Sequence, residues 1–198
     1  MRTSSSSKAM TGRTRPAKNG RKAFKGMAPD GYAIRMMEPG EVAALHGIAR
    51  SDDEPESFSP SSPASRIADL GAFTRFLLAN EVFVLVDKAA GETAGFAVAS
   101  PQDDLYWMSC LHLAPAYRHE RLAAALLKSV SERAGWFFYR AIGLSVDGAA
   151  ARAAGFFGAR GFVTIPPTDC PRWLDEKRRA SAPDPGKADM QRIMLKWL

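Results

Sequence analysis

The segment that most constrains the fold is a β-rich run that stops at a proline and leads, through a short loop, into an apolar helical pattern. Residues 105–113 have the composition of a strand, and Pro115 interrupts them; the helical pattern, with Leu122 and Leu126 on one face, continues to about Phe137. The first N–H groups of a helix have no intrahelical partner, so they can bind a phosphate. This order of elements predicts a phosphate-binding loop between a strand and a helix.

Hydrophobic periodicity on both sides of this segment predicts further strands and helices. A turn at 88–92, with Gly91 available for a positive φ, joins two strands as a hairpin, and the polar run at 51–62 is predicted to be a loop. Asp147 is expected to cap the helix that follows it. The predicted strands cover residues 32–36, 82–87, 93–100, 105–113, 141–146, 162–165 and 193–198, and the predicted helices cover 38–49, 65–78, the run ending near 137, and 148–157.

Residues 166–189 interrupt this pattern between the last two strands. The insertion contains Trp173 and a charged run at 175–179. Long connections of this kind are usually either functional or without regular structure. Two interpretations stay open, namely a solvated excursion with one short helix and a lid over a substrate pocket.

The net charge of +6 is concentrated at the N-terminus. Residues 1–26 hold eight basic residues and no acid, which leaves nineteen basic and 21 acidic residues elsewhere. Because this stretch also has almost no large apolar side chain, residues 1–28 are predicted to form a disordered basic tail, followed by one domain over 29–198. The tail is interpreted as a linker or start-site extension, a basic arm that binds nucleic acid, or a transit peptide.

Hydropathy and cysteine usage narrow the class of protein. No apolar stretch is long enough to span a bilayer, so a membrane protein is not expected. The two cysteines, Cys110 and Cys170, have neither metal-ligand spacing nor the pattern of a disulfide framework, which predicts a cytoplasmic protein without a bound metal. Cys110 lies in an apolar strand and is predicted to be buried.

Residues 111–123, LHLAPAYRHERLA, resemble the acyl-CoA signature of the GNAT N-acetyltransferase superfamily. In that signature a hydrophobic strand and a Pro-x-Tyr-Arg step lead into Arg-x-x-Gly-x-Gly/Ala. Arg118 and Ala123 match this pattern. Arg121 occupies the glycine position, and His119 occupies a position where the family often has another glycine.

A second family motif, Asn-x-x-Ala-x-x-Phe-Tyr-x-x-x-Gly-Phe, resembles residues 150–162. Ala150 and Phe157 replace the asparagine and the tyrosine of the motif. The matching positions are Ala153, Phe156, Gly161 and Phe162. The resemblance covers about residues 32–198 and implies the α/β fold of acyl-CoA N-acyltransferases, a mixed central sheet of about seven strands flanked by about four helices.

The resemblance also implies acetyl-CoA as the co-substrate and no metal. The end of the signature strand offers backbone groups to the pantetheine arm, and N–H groups of the loop face the pyrophosphate. Arg118 and Arg121 would add charge-assisted bonds to phosphate oxygens; the alternative for Arg121 is a solvated helix residue. The implied cofactor-binding residues are Leu111, His112, Leu113, Arg118, His119, Glu120, Arg121, Leu122, Ala123 and Phe157.

Acetyl transfer to an amine requires a neutral nucleophile, a stabilised oxyanion and a proton for the leaving thiolate. A backbone N–H near Leu113 is expected to stabilise the oxyanion. The family often has a carboxylate base at the positions of Ser109 and Cys110, and this chain has none there. His112 is therefore the candidate base, and its alternative role is a structural hydrogen bond to a neighbouring loop.

A general acid is also missing from its family position, because Phe157 has no hydroxyl. Either Tyr106 or Tyr139 is the candidate acid, or the thiolate leaves without assistance. We therefore expect an N-acetyltransferase that acts on an amine of a small molecule or a protein. The alternatives are a non-catalytic acyl-CoA-binding or regulatory domain and a nucleic-acid accessory protein that binds through its basic tail.

Overall fold

The computed structural model describes residues 28–51, 58–61, 64–182 and 185–198. The predicted tail, apart from Ala28, and most of the predicted loop at 51–62 lie outside these residues. The strands are β1 (Tyr32–Met36), β2 (Glu81–Asp87), β3 (Thr93–Gln102), β4 (Leu105–Leu113), β5 (Ala141–Asp147), β6 (Val163–Ile165) and β7 (Gln191–Trp197). The α-helices are α1 (Val42–Ser51), α2 (Leu70–Leu78), α3 (Glu120–Trp136), α4 (Ala151–Gly158) and α5 (Arg172–Ser181).

The described strands form one mixed sheet in the order β1-β2-β3-β4-β5-β7-β6. Neighbouring strands are antiparallel except β4 and β5, which run parallel. A parallel pair needs a crossover connection, and α3 provides it. The predicted mixed α/β sheet is confirmed, and the insertion between β6 and β7 adds α5 as a fifth helix.

The parallel strands β4 and β5 pair only near their first residues. Leu105 lies opposite Ala141 and Trp107 opposite Gly143, and no pair follows these in the described residues. A Cβ atom on Gly143 would lie 2.8 Å from the Trp107 ring, so the close approach of the strands at this point requires glycine. Beyond it, a wedge-shaped gap opens between the two strands.

A β-bulge interrupts β4 close to the start of this gap. Met108 pairs with Ala99 and Cys110 pairs with Val98, so Ser109 has no partner in β3. An extra residue in one strand shifts the alternation of side chains by one position. Strict alternation along β4 therefore fails after Met108.

The bulge determines which side chains of β4 share a face. Beyond it, Leu111 and Leu113 belong to the same core cluster as Tyr106 and Met108. Cys110 belongs to the core cluster on the opposite face and is fully buried, as predicted. Side chains at odd and even positions thus exchange faces in the middle of the strand.

Helices cover both faces of the sheet. On one face α3 and α4 pack, and α3 buries Leu122 and Leu126 as predicted. On the other face α1 and α2 pack through Leu45 and Phe73, and α5 packs against β5 and β7. Among the described residues, none of the helices combines the length and the hydrophobicity that crossing a membrane requires.

Three helices, α1, α2 and α4, begin later than predicted, and for α2 and α4 an aspartate forms a local hydrogen bond ahead of the helix. The carboxylate of Asp69 accepts a hydrogen bond from the N–H of Ala72 at 2.7 Å, which caps α2 five residues after the predicted start. The carboxylate of Asp147 accepts from the N–H of Ala149 at 2.9 Å, so it closes a turn before α4. The predicted helix cap at Asp147 is therefore wrong.

A partly buried ion pair connects β2, β4 and α3. Arg133 donates to both oxygens of Glu81 at 2.6 and 2.8 Å, and the Tyr106 hydroxyl donates to the same carboxylate at 2.8 Å. Burial raises the pKa of the Glu81 carboxyl, but the hydrogen bonds from Arg133 and Tyr106 lower it by more than burial raises it. The pKa of Glu81 therefore lies below its ordinary value. The carboxylate form of Glu81 thus stabilises the fold.

We expect Glu81→Gln to lower the free energy of unfolding by about 2 kcal/mol at pH 7, because it replaces two charge-assisted hydrogen bonds with weaker ones. Since the folded-state pKa of Glu81 is depressed, its contribution is fully present above the unfolded value and is lost as the pH falls through the folded value. Urea denaturation at pH 7 and pH 3 should therefore show the difference between the two proteins shrinking in acid. A difference that stays constant with pH would contradict this role.

Candidate active site

The gap between β4 and β5 contains a short segment of the chain itself. Residues 58–61, which we call the bridging segment, form one hydrogen bond to each strand. The N–H of Ser61 donates to the carbonyl of Ser145 in β5 at 2.7 Å. The N–H of Leu111 in β4 donates to the hydroxyl of Ser59 at 3.5 Å. The bridging segment therefore fills part of the gap, where it hydrogen-bonds to β4 on one side and to β5 on the other.

Phe58 anchors the bridging segment in the main core. Its side chain is 6% exposed, and its ring centroid lies 5.0 Å from that of Phe156 in α4. The guanidinium of Arg152 lies 4.4 Å from the Phe58 centroid on the outer side. Burial of this ring is the main contact that holds the bridging segment in the gap.

The N-terminus of α3 lies at the end of β4 and has no side-chain cap. His119 precedes the helix with an extended backbone, and its carbonyl accepts from the N–H groups of Leu122 and Ala123 at 2.9 and 3.2 Å. Among the described residues, the N–H groups of Glu120 and Arg121 have no acceptor. Both residues are exposed, so these two N–H groups and the positive end of α3 are available to an anion.

The two predicted phosphate-binding arginines occupy different environments. Arg118 donates through its guanidinium to the carbonyl of Ser51, the last residue of α1, so it holds the loop against that helix. Arg121 is exposed and lines a shallow depression of about 450 Å³ together with Asp30 and Lys128. The structure therefore gives Arg118 a structural contact and leaves Arg121 free to approach a ligand.

A third arginine, which sequence analysis missed, lies at the same helix end. Arg160 donates to the Glu120 carboxylate at 2.8 Å and to the carbonyl of Phe156 at 2.8 Å, and its guanidinium stacks 3.9 Å from the Phe156 centroid. Its position in the second family motif is variable, so no sequence signal marks it. The fold brings it from the turn after α4 to the first turn of α3.

The side chain of the predicted base, His112, is buried on the face of the sheet that α1 and α2 cover. Its side chain is 1% exposed, and its ring contacts Phe96 at 5.3 Å between centroids. Phe96 belongs to the core cluster under α1 and α2. The bulge at Ser109 is the reason, because it places His112 on the face opposite Leu111.

The structure does not bring the predicted acids to the gap either. Tyr106 lies in the paired part of β4, seven residues before Leu113, and its hydroxyl is bound to Glu81. Burial and the Glu81 carboxylate raise the pKa of Tyr106. Tyr139 stacks on the Tyr106 ring at 5.3 Å, at the same distant end of β4.

Phe157, predicted to contact the cofactor, is fully buried in the main core. Its ring lies 5.0 Å from Phe156 and 5.4 Å from Phe162, centroid to centroid. A residue so enclosed packs α4 against the sheet. The structure therefore supports the core-packing role that a phenylalanine at a helix end commonly has.

A small pocket opens beside the bulge, on the face that carries α2 and α5. Ser109 is the one residue of β4 that is not fully buried, and it lines this pocket. We call it the bulge pocket; its volume is about 230 Å³. Its lining residues are Ser61, Phe76, Asn80, Ser100, Gln102, Trp107, Ser109, Lys177, Ala180 and Ser181.

One other cleft lies apart from this region, and a cluster of metal ligands is missing from the described residues. A larger cleft of about 490 Å³, lined by Leu105, Trp173 and Trp197, lies at the paired ends of β4 and β5. In the part of the chain that the structure describes, no three histidine, cysteine or acidic side chains cluster as the ligands of a metal would. The gap, the α3 N-terminus and the bulge pocket adjoin one another along β4, and together they form the candidate active site.

Comparison with known proteins agrees with this architecture. A family model described as the acetyltransferase (GNAT) family matches residues 39–162. An acetyltransferase from Streptococcus agalactiae superposes with a TM-score of 0.63 at 17% identity, over 85% of this chain and 99% of that chain. No curated protein matches the sequence.

Two further solved structures have the same fold. The ribosomal-protein-S18-alanine N-acetyltransferase from Escherichia coli superposes with a TM-score of 0.60 at 18% identity, over 84% of this chain and 93% of that chain. A GNAT superfamily phosphinothricin acetyltransferase from Sinorhizobium meliloti, in complex with AcCoA, superposes with a TM-score of 0.61 at 18% identity, over 85% and 89%. At these identities the likeness is one of fold.

Proposed function

Because the chain belongs to the acetyltransferase (GNAT) family, we propose that it transfers an acetyl group from acetyl-CoA to an amine. The amine nitrogen attacks the thioester carbonyl, an N–C bond forms, the C–S bond breaks, CoA leaves as a thiolate, and the amine proton passes to water. The observation that carries the proposal is the gap between β4 and β5, which opens toward the uncapped N-terminus of α3. Family membership supports acyl transfer in general.

Backbone groups and two arginines are proposed to hold acetyl-CoA. The N–H groups of Glu120 and Arg121, at the positive end of α3, bind the pyrophosphate. The guanidiniums of Arg121 and Arg160 supply positive charge beside them. The backbone of residues 111–113 binds the pantetheine arm as a strand is bound at an open sheet edge.

Acetyl-CoA and the bridging segment compete for the same place. The N–H of Leu111, which the pantetheine arm would use, donates to Ser59 of the bridging segment. The bridging segment therefore has to leave the gap when acetyl-CoA binds. Ser61 of the bridging segment also lines the bulge pocket, so departure of the segment would connect that pocket with the gap. This arrangement favours binding of acetyl-CoA before the amine.

Proton transfer is proposed to need little help from side chains. His112 is enclosed in the core, so the amine has to reach the thioester already neutral, and the rate should rise with pH toward the pKa of the amine. The leaving thiolate has a parent thiol pKa of about 8.5, so it can leave without a general acid.

A non-catalytic acyl-CoA-binding domain is the second candidate. It is favoured by the enclosed phenylalanine at position 157, where the family motif has a tyrosine. Release of the CoA thiol in the presence of a panel of primary amines separates the two candidates. Acetyl-CoA binding without thiol release from any amine would favour the binding domain.

A matched pair of variants tests the cofactor site. Glu120→Pro and Glu120→Ala both remove the carboxylate and its ion pair with Arg160, but only proline also removes the N–H. Proline is tolerated at the first position of a helix, and His119 before it, with φ −108° and ψ 132°, already has the extended conformation that a residue preceding proline adopts. We expect Glu120→Pro to bind acetyl-CoA about tenfold more weakly than Glu120→Ala in calorimetric titration.

The alanine variant is the control for the lost side chain. It removes a negative charge beside the phosphates and releases Arg160, so it should bind acetyl-CoA at least as tightly as the wild type. Equal dissociation constants for the proline and alanine variants would remove the N-terminus of α3 from the cofactor site.

A further inference from the structure

Lys177 is the exception among the cations of α5. The other three form ion pairs with acidic residues of the same helix: Arg172, Arg178 and Arg179. Lys177 has no ion pair among the described residues. It is half-buried and lines the bulge pocket. Its ammonium group is therefore available to a ligand that enters this pocket.

Apart from Lys177, the polar side chains that line the bulge pocket are neutral. Hydroxyls come from Ser61, Ser100, Ser109 and Ser181, and amides come from two further side chains, Asn80 and Gln102. The Ser181 hydroxyl already donates to the carbonyl of Lys177. No carboxylate is present among its described lining residues. A second ammonium group would find no opposite charge here, whereas a carboxylate would find one cation and several hydrogen-bond donors.

The bulge pocket is placed for an acceptor, and it is small while the bridging segment closes it. It adjoins Ser109, where β4 and β5 separate, so a ligand held in it lies beside the end of the gap. Its volume of about 230 Å³ is below the range of about 300–1,000 Å³ that is common for drug-sized ligands. The rings of Trp107 and Phe76 line it as well and give it an apolar wall.

We propose that the bulge pocket binds the acceptor as a small amino acid, with the carboxylate on Lys177 and the amine toward the gap. The proposal rests on the proposed acetyl transfer and names its substrate class. Lys177 sets the specificity by pairing with a negative charge close to the amine. The apolar wall then favours acceptors with an uncharged side chain.

Matched pairs of acceptors test the substrate class. Alanine, leucine and phenylalanine are each compared with their primary amides, which keep the side chain but lose the negative charge. Each acceptor concentration is expressed as that of the neutral amine, because the amide lowers the pKa of the amine. We expect kcat/KM for each amino acid to exceed that of its amide by about tenfold or more, because a charge-assisted hydrogen bond is lost with the carboxylate. The diamine 1,4-diaminobutane should be the poorest acceptor.

Variants at Lys177 test the residue. Lys177→Gln should raise KM for leucine by about tenfold and leave KM for leucinamide within about twofold, while Lys177→Arg restores leucine use. Lys88→Gln is the control, because Lys88 is an exposed lysine in the turn between β2 and β3. All of these variants should bind acetyl-CoA as the wild type does.

Direct titration separates this proposal from the proposed function. Leucine is titrated by calorimetry into the CoA-loaded wild type and into CoA-loaded Lys177→Gln. Binding that requires Lys177 supports the pocket even if no acetyl transfer occurs, in which case only the proposed function fails. Equal use of amino acids and amides, a preference for the diamine, or leucine binding that is unchanged or absent in both proteins would overturn the proposal.

Discussion

Replacing Phe58 by alanine is expected to tighten acetyl-CoA binding on the order of 30-fold, although the phenylalanine is a buried core residue. The bridging segment has to leave the gap before the pantetheine arm can bind the N–H of Leu111. Leaving costs the burial of the Phe58 ring, about 2 kcal/mol or more for a side chain that is 6% exposed. The apparent affinity equals the intrinsic affinity multiplied by the fraction of molecules whose gap is open, so a weaker anchor raises it.

The same substitution is expected to lower the free energy of unfolding by about 3 kcal/mol, because it removes the ring contact with Phe156 and leaves a cavity. Stability and affinity should thus change in opposite directions. Calorimetric titration with acetyl-CoA and urea denaturation on the same preparations measure the two quantities. A ligand-induced rise in the midpoint of thermal unfolding should also be larger for Phe58→Ala than for the wild type.

Phe73→Ala is the control for loss of stability alone. Phe73 is fully buried, but it lies in the core cluster under α1 and α2, where it contacts Phe96. We expect this variant to be destabilised while its dissociation constant for acetyl-CoA stays within about twofold of the wild type. If Phe58→Ala is fully folded under the conditions of the titration and still binds acetyl-CoA more weakly than the wild type, the bridging segment does not block the site.

The regular elements around the active site could be predicted from the sequence because their signals are local. The alternation of residues 105–113 and the helical period that follows them predicted β4 and α3 with close to the observed bounds. These patterns depend on neighbours within one or two turns of the same chain segment. The order of strand, loop and helix followed directly from these patterns. The available N-terminus of α3 followed from that order.

The bulge at Ser109 could not be predicted in this way. It results from the register between β3 and β4, in which Val98 and Ala99 pair on either side of the extra residue. Nothing in the local composition distinguishes the extra residue from its neighbours. Because the bulge exchanges the faces of the strand, it also decided the position of His112, which sequence analysis placed in the active site as its base.

Long-range contacts account for the other differences. Residues 58–61 belong to a run whose polar composition predicted only a loop, and its contacts with β4 and β5 are 50 or more residues away along the chain. Arg118 matches the family signature, but its guanidinium binds the carbonyl of Ser51. A motif predicts which residue stands in a loop, and the packing of the whole domain decides what its side chain contacts.

Arg178→Ala is expected to have the second large effect, on the acceptor side of the active site. The Arg178 side chain is 6% exposed, and it donates to the Asp175 carboxylate at 2.8 Å and to the carbonyl of Ala188 at 2.6 Å. It therefore fastens α5 to the residues that lead into β7. Removing a buried, hydrogen-bonded cation of this kind costs about 3 kcal/mol, which should loosen α5 and with it the wall that contains Lys177.

Arg179→Ala is the matched control, because Arg179 pairs with the same carboxylate at 2.8 Å from a side chain that is 66% exposed. Screening by water leaves such an exposed pair with little effect on stability. We expect Arg178→Ala to lower the midpoint of thermal unfolding by several degrees and to raise KM for the amine about tenfold, while the dissociation constant for acetyl-CoA is unchanged. Arg179→Ala should leave all three quantities close to those of the wild type. If Arg178→Ala weakened acetyl-CoA binding as much as it raised KM for the amine, α5 would act on the whole domain, and the bulge pocket would lose its separate role in holding the acceptor.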